Sequence, residues 1–456
     1  MRRLGLAAFA LCLATAPALA HGAGRGFVML LPTAYVIGGG ALAVLASFIA
    51  LTALPGLRLR RPALPGPLLP VIAQTASLLS AGILVLVIIL GVLGPRDPLE
   101  NLLPLFVWTV WWVEIVMLHT LFGNMWEAIN PFTGLHALIA RHWGRAPGPA
   151  PLAYPAWLSY WPAVLIFFGF AWFQLVFPAP EDPGILASVI ITYLLLSLVA
   201  VLAFGPRQWL GKADPFALFL AQLGAAAPLG RGGPRLPGAG LLALPALPLS
   251  GMLFVLLTLS AITFDGFSNT FLWLSMIGVN PLDFPGRTAV MGANTLGLLL
   301  SFAVLASGFF GAVFLGWRWA ARPSSLGVLM GRLVYSLIPI SIAYHVAHYL
   351  SDALVKVQYV NLALNDPLGN GADLFGFAHA HVTTSFQNTA SGTLMLYTVQ
   401  TVALVIGHVV GVAVAHAMVG ETGLAPSCAL KLELPLALVM VGYTGFGLWL
   451  LGTAAV

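Results

Sequence analysis

The sequence predicts an all-α polytopic membrane bundle of about ten transmembrane helices following a cleavable signal peptide. Three observations carry that prediction. Hydrophobic residues make up 60% of the 456 and charged residues only 7%, against about 25% charged in soluble domains, and the mean hydropathy is +0.97. Most of the length is spent on apolar segments of about 20 residues separated by short polar joints, the length a helix needs to cross a bilayer. The Lys and Arg residues, finally, gather in alternate joints.

Residues 1–20 read as the signal: Arg2 and Arg3, an apolar run from Leu4 to Ala16, then Ala18-Leu19-Ala20 as a small-x-small cleavage site. Residues 21–456 are expected to form one integral membrane helical domain whose mature N-terminus is His21. Secretion of His21 places the first face outside, and the spans then alternate.

The first two spans, about Ala34 to Leu54 and Leu68 to Leu93, flank an inner joint holding Arg58, Arg60 and Arg61. Leu102 to Phe122 and Trp157 to Phe177 flank Arg141 and Arg145. Gly184 to Phe204 and Leu241 to Phe264 flank Arg207, Lys212, Arg231 and Arg235. Val290 to Trp317 and Leu326 to Leu350 flank Arg318 and Arg322, and Thr393 to Val419 and Leu434 to Ala454 flank Lys431. Outside remain only Arg25, Arg96, Arg287 and Lys356, with Arg332 inside a span. This bias is independent of the signal and agrees with it: the expected location is a bacterial inner membrane, with both mature termini extracytoplasmic.

Two inner joints are long, Gly123 to Ala156 and Gly205 to Gly240. Trp126, Trp143 and Trp209 with neighbouring basic residues suit a short interfacial helix in each; an ordinary connecting loop is the other reading.

Cys12 belongs to the signal, leaving Cys428 alone. That excludes an internal disulfide, a thiolate metal site and a Cys-x-x-Cys redox motif. The net charge of +5 comes from basic residues scattered among joints, without the basic stripe and interleaved aromatics of a nucleic-acid surface, so nucleic acid is not an expected partner. No phosphate-cradling glycine motif, nucleophile elbow or His-Glu-x-x-His sequence is present.

Half of the ten histidines fall at the outer face: His21, His345, His348, His379 and His381. A terminal histidine offers a metal both its amine and its ring, and nitrogen ligands suit copper or another divalent ion. His345 and His348 are helical neighbours whose rings can approach one ion. The expected metal set is therefore His21, His345 and His348 with His379 and His381 near, and Asp265 or Asp352 as outer ligand or orienter. The plainer readings are a polar residue after a signal, a structural histidine pair and a helix-capping Asp265. Deeper in the bundle, Glu114, His119 and His408 are expected to form a buried polar cluster, since intramembrane ionisable groups face inward and pair. His416 reads as interfacial. Structural pairing, proton relay and haem or quinone contact all remain open for the cluster.

Several phrases stand out together: Gly123-Asn124-Met125-Trp126 with Asn130-Pro131-Phe132, Trp209 with Pro215-Phe216 and Phe219, and Phe264-Asp265-Gly266. Further along come Ala347-His348-Tyr349, Asp366-Pro367-Leu368-Gly369 with Asp373-Leu374-Phe375-Gly376, and Gln400 with Gly407-His408 and Ala415-His416. In order and spacing these phrases resemble a bacterial polytopic membrane family labelled fenitrothion hydrolase. The resemblance implies hydrolysis of an organophosphorus-type ester as small-molecule substrate, with room for a partner membrane subunit; it transfers no catalytic residue. A bound metal would activate water and polarise the phosphoryl oxygen. Two other classes fit the same residues: a metal or small-solute permease or metal-delivery protein, and a structural or electron-transfer subunit of a membrane complex.

Overall fold

The structure, a computed structural model, describes residues 33–53, 70–143, 150–230, 232–280, 286–323 and 325–453, so the signal segment, His21 and the joint with Arg58 lie outside the described residues. Every regular element within them is helical. Among the described residues nine helices are long and apolar enough to cross a membrane, as in a polytopic helix bundle.

In order these are α1 (Thr33–Ala53), α2 (Pro70–Leu93) and α3 (Leu102–Phe122). Short helices α4 (Trp126–Ile129) and α5 (Pro131–His142) follow, then α6 (Trp161–Leu175) and α7 (Pro183–Phe204). Two more short helices, α8 (Pro206–Lys212) and α9 (Pro215–Ala226), lead to α10 (Leu249–Ser268) and α11 (Phe271–Met276). The chain closes with α12 (Arg287–Trp319), α13 (Leu326–Asn365), α14 (Ala390–Gly420) and α15 (Pro426–Gly452).

The expected span from Trp157 to Phe177 is helical only as α6. Its 15 residues rise about 22 Å, short of the ~30 Å hydrocarbon core. Pro162 opens the helix, and Arg287 Nη1 donates to the carbonyls of Gln174 (3.0 Å) and Phe177 (3.2 Å) where it stops. In the other direction, α13 runs fifteen residues past the expected end at Leu350, to Asn365.

Both long joints carry helices. Asn130 caps α5, its side chain accepting from the Phe132 N–H at 2.9 Å, and α5 packs on α2. Asp214 caps α9, accepting from the Ala217 N–H at 2.7 Å and from the Tyr193 hydroxyl at 2.6 Å. Leu218, Phe219, Leu220 and Leu223 of α9 are buried in the main core. The joint that the sequence presents as an interfacial helix or a loop thus folds back into the bundle, because its apolar residues cover more than one side of α9.

At the centre stands α10, buried almost without interruption from Ser250 to Phe264, against α6, α12 and α13. Peripheral helices keep Leu42, Leu79, Ile83, Leu196 and Val304 on their outward faces, where lipid rather than water receives them.

Candidate intramembrane site

Two backbone irregularities place the site. Residues Phe106–Ile115 of α3 wind as a π-helix, a rare form that is frequent at functional sites. It turns Trp111 toward Phe216, centroids 4.7 Å apart, and Trp112 toward Phe170 (4.7 Å) and His345 (5.5 Å). In α13 a 3-10 turn at Val334–Leu337 precedes Pro339. Gly407 of α14 meets α13 there: a Cβ at Gly407 would lie 2.7 Å from the Pro339 carbonyl.

Around these, four elements converge on one carboxylate. Asp265, near the end of α10, receives His348 Nε2 at 3.1 Å and the Tyr349 hydroxyl at 2.7 Å, both on Oδ2. The Tyr349 oxygen in turn accepts from Gln174 Nε2 of α6 (2.9 Å) and from Trp112 Nε1 of α3 (3.3 Å). The rings of His345 and His348 each meet Tyr349 edge-on, at 4.8 and 4.7 Å. Beside this network lies a cavity of about 20 Å³ lined by Trp112, Phe170, Asp265, Ser341, His345 and Tyr349 among others. It has room for about one water. His345 Nε2 and Ser341 Oγ are buried without hydrogen-bond partners.

A second set lies toward the middle of the bundle. His408 is fully buried, its Nδ1 at 2.8 Å from the Leu404 carbonyl and its Nε2 without a partner. Its ring packs on Tyr344 (6.2 Å) and Tyr443 (6.1 Å), which stack on each other at 5.2 Å. The Tyr443 hydroxyl pairs with that of Thr263, two residues before Asp265. A third set joins α14 to α15: His416 Nδ1 lies 2.9 Å from Glu433 Oε2, and Glu433 is only 5% exposed. His416 is therefore a paired residue facing its neighbour helix.

Of the expected metal set, His21 lies outside the described residues. His345 and His348 share a neighbourhood, but His348 is held by Asp265. Asp352 pairs with Lys356 Nζ at 3.3 Å, and Lys356 also reaches Glu181 at 3.4 Å. His379 and His381 are exposed in the loop between α13 and α14. Among the described residues no group of three or more His, Cys, Asp or Glu side chains is arranged to hold a metal ion.

Glu114, His119 and His408 have separate surroundings. His119 Nδ1 lies 2.7 Å from the Ile115 carbonyl while its Nε2 accepts from the Trp126 N–H at 2.8 Å, bracing α3 against α4. Glu114 is half-buried on the π-helical segment. No hydrogen bond joins any two of the three.

The sequence reading did not find the roles of Gln174, Trp112 and Ser341, nor the Glu433 pair. Glu433 carried the one usable signal, a lone carboxylate flanked by Leu432 and Leu434. No family model, curated protein or solved structure matches this chain.

Proposed function

We propose that this chain is a permease that moves protons across the bilayer. The observation that carries the reading is the disposition of two histidine–carboxylate pairs about the His408, Tyr344 and Tyr443 cluster. Gly266, next to Asp265, approaches Leu450 of α15, and Glu433 lies seventeen residues earlier on that helix. At 1.5 Å per residue the pairs are separated by about 26 Å along the membrane, close to the hydrocarbon thickness of ~30 Å. Ionisable groups at such depth are costly, and chains of Asp, Glu and His there commonly serve as proton relays. Asp265 and His348 would receive the proton at one end, His408 would carry it through the middle, and His416 with Glu433 would release it at the other.

The test is proton flux in sealed vesicles enclosing a pH-sensitive dye under an imposed potassium diffusion potential. Wild type should acidify the interior, and Glu433→Gln and His408→Phe should not. Wild-type vesicles behaving as protein-free ones would overturn the reading.

A second reading is a metal-dependent hydrolase of organophosphorus-type esters, the activity that the family resemblance implies. One observation favours it: His345 Nε2 is a buried imidazole nitrogen without a partner, the kind of donor copper or another divalent ion takes. His21 would have to complete such a site, since Asp265 and Asp352 already have partners. Metal content and aryl phosphoester hydrolysis, both lost in His345→Ala, would favour this reading over the first.

A further inference from the structure

We propose that a large apolar slot bounded by α2, α3, α6 and α7 is a resident lipid site that takes one acyl chain of a bilayer phospholipid, its head group remaining at the membrane surface. The slot has a volume of about 550 Å³, within the usual range of small-molecule sites. Its shape points to a chain. It is lined from Ala76 to Leu84 on α2, from Phe106 to Ile115 on α3 and from Leu186 to Leu194 on α7. The stretches on α2 and α7 each rise about 12 Å, so the slot runs along the helices and hence along the bilayer normal.

Its chemistry favours an apolar occupant. No charged side chain lines it, so a head-group charge buried there would lose its hydration with no countercharge to offset the loss. Of the polar groups on its wall, the Tyr193 hydroxyl donates to Asp214 and Trp108 Nε1 donates to the Pro180 carbonyl at 3.2 Å, while Trp126 Nε1 is a buried donor without a partner. The rest of the wall is mostly apolar side chains, the lining that an acyl chain takes. The mouth faces the membrane, for Leu79, Ile83 and Val189 line the slot and are also exposed. An acyl chain of the surrounding bilayer can enter from that side.

Gly169 supplies the test. It lines the slot, and a Cβ built there meets nothing within 4 Å, so a larger side chain enters the slot instead of the wall. Wild type and Gly169→Leu would be placed in nanodiscs of phosphatidylcholine doped with the same lipid carrying a mid-chain diazirine, irradiated and mapped by mass spectrometry. Wild type should be labelled on Phe106–Ile115 and on α6. Gly169→Leu should lose that labelling while keeping it on the lipid-exposed Leu299, Val304 and Leu315 of α12. Ile83→Trp, at the exposed mouth, is a second variant expected to reduce slot labelling should Gly169→Leu unfold in a thermal scan. Equal slot labelling in wild type and the folded variants would overturn the proposal. So would preferential labelling of the slot by a photoreactive isoprenoid quinone competing with the phospholipid.

Discussion

The Tyr349 hydroxyl donates to Asp265 Oδ2 at 2.7 Å, tying the C-terminal half of α13 to the end of α10. Tyr349 uses its full capacity, since its oxygen also accepts from Gln174 and Trp112. Removing that oxygen would leave two donors and part of a carboxylate without partners in a place poor in water. Tyr349→Phe should therefore lower stability by about 1–3 kcal/mol, the usual penalty for buried polar groups left unpaired. Thermal or denaturant unfolding in detergent measures it, and an unchanged midpoint would show that the network adds nothing.

Ser341 is the opposite case. Its hydroxyl is buried and unpartnered beside the 20 Å³ cavity, so Ser341→Ala removes a desolvated polar atom without breaking a hydrogen bond within the protein. Stability should stay within about 0.5 kcal/mol of wild type or rise, because the buried hydroxyl costs free energy when it has no partner. A loss above ~1 kcal/mol would mean that the hydroxyl holds a ligand or water in that cavity.

The loop after α13 should loosen in acid. The Asp373 carboxyl is held below the ordinary 3.8 first by the Asn365 side-chain amide at 2.9 Å and then by backbone N–H groups such as that of Ala378 at 3.1 Å. Burial alone would raise the Asp366 carboxyl, but the N–H groups of Gly371 (2.7 Å) and Asn370 (3.0 Å) outweigh it and keep it below 3.8. A depressed folded value means that the open loop binds protons first. The stabilisation is thus fully present above 3.8 and is lost as pH falls through the lower folded values. Amide exchange of residues 369–378, corrected for its intrinsic pH dependence, should accelerate only in that acid range and less so in Asp373→Asn.

How much of this was legible depended on whether a signal was local. The apolar runs of α1, α2, α7 and α14 state their own length, so the helical membrane class followed from composition. The length of α6 did not, because its apolar run continues through Val176 and Phe177 after the helix has stopped. Burial of α9 was also hidden, since a twelve-residue apolar helix in a joint reads the same whether it lies on a membrane or inside a bundle. At the site, Asp265, His345 and His348 stood out as polar residues in apolar surroundings. Tyr349 follows His348 in the chain, but Gln174 and Trp112 come from α6 and α3, whose meeting with α13 is tertiary, and sequence spacing carries no trace of it. His416 was legible as a residue but not as half of a pair, because α15 begins at Pro426, eight residues before the expected Leu434, which places Glu433 within the helix.

The contact between α12 and α15 gives the sharpest test of packing. A Cβ at Gly316 would lie 2.2 Å from the Leu432 carbonyl oxygen, and that obstacle is backbone, which cannot swing aside as a side-chain tip does. Gly316→Ala must push the two helices apart, at about 1–3 kcal/mol, the range for overpacking a close contact. The same substitution at Gly308 or Gly311 of α12 meets nothing within 4 Å and should be neutral or stabilising by up to ~1 kcal/mol through helix propensity alone. The displacement has a second readout, because Leu432 precedes Glu433, whose carboxylate is bound to His416. Gly316→Ala should therefore also reduce proton flux in vesicles, whereas Gly308→Ala should leave it unchanged. Equal stability of the Gly316 and Gly308 variants would show that α12 and α15 are not in close contact at this point.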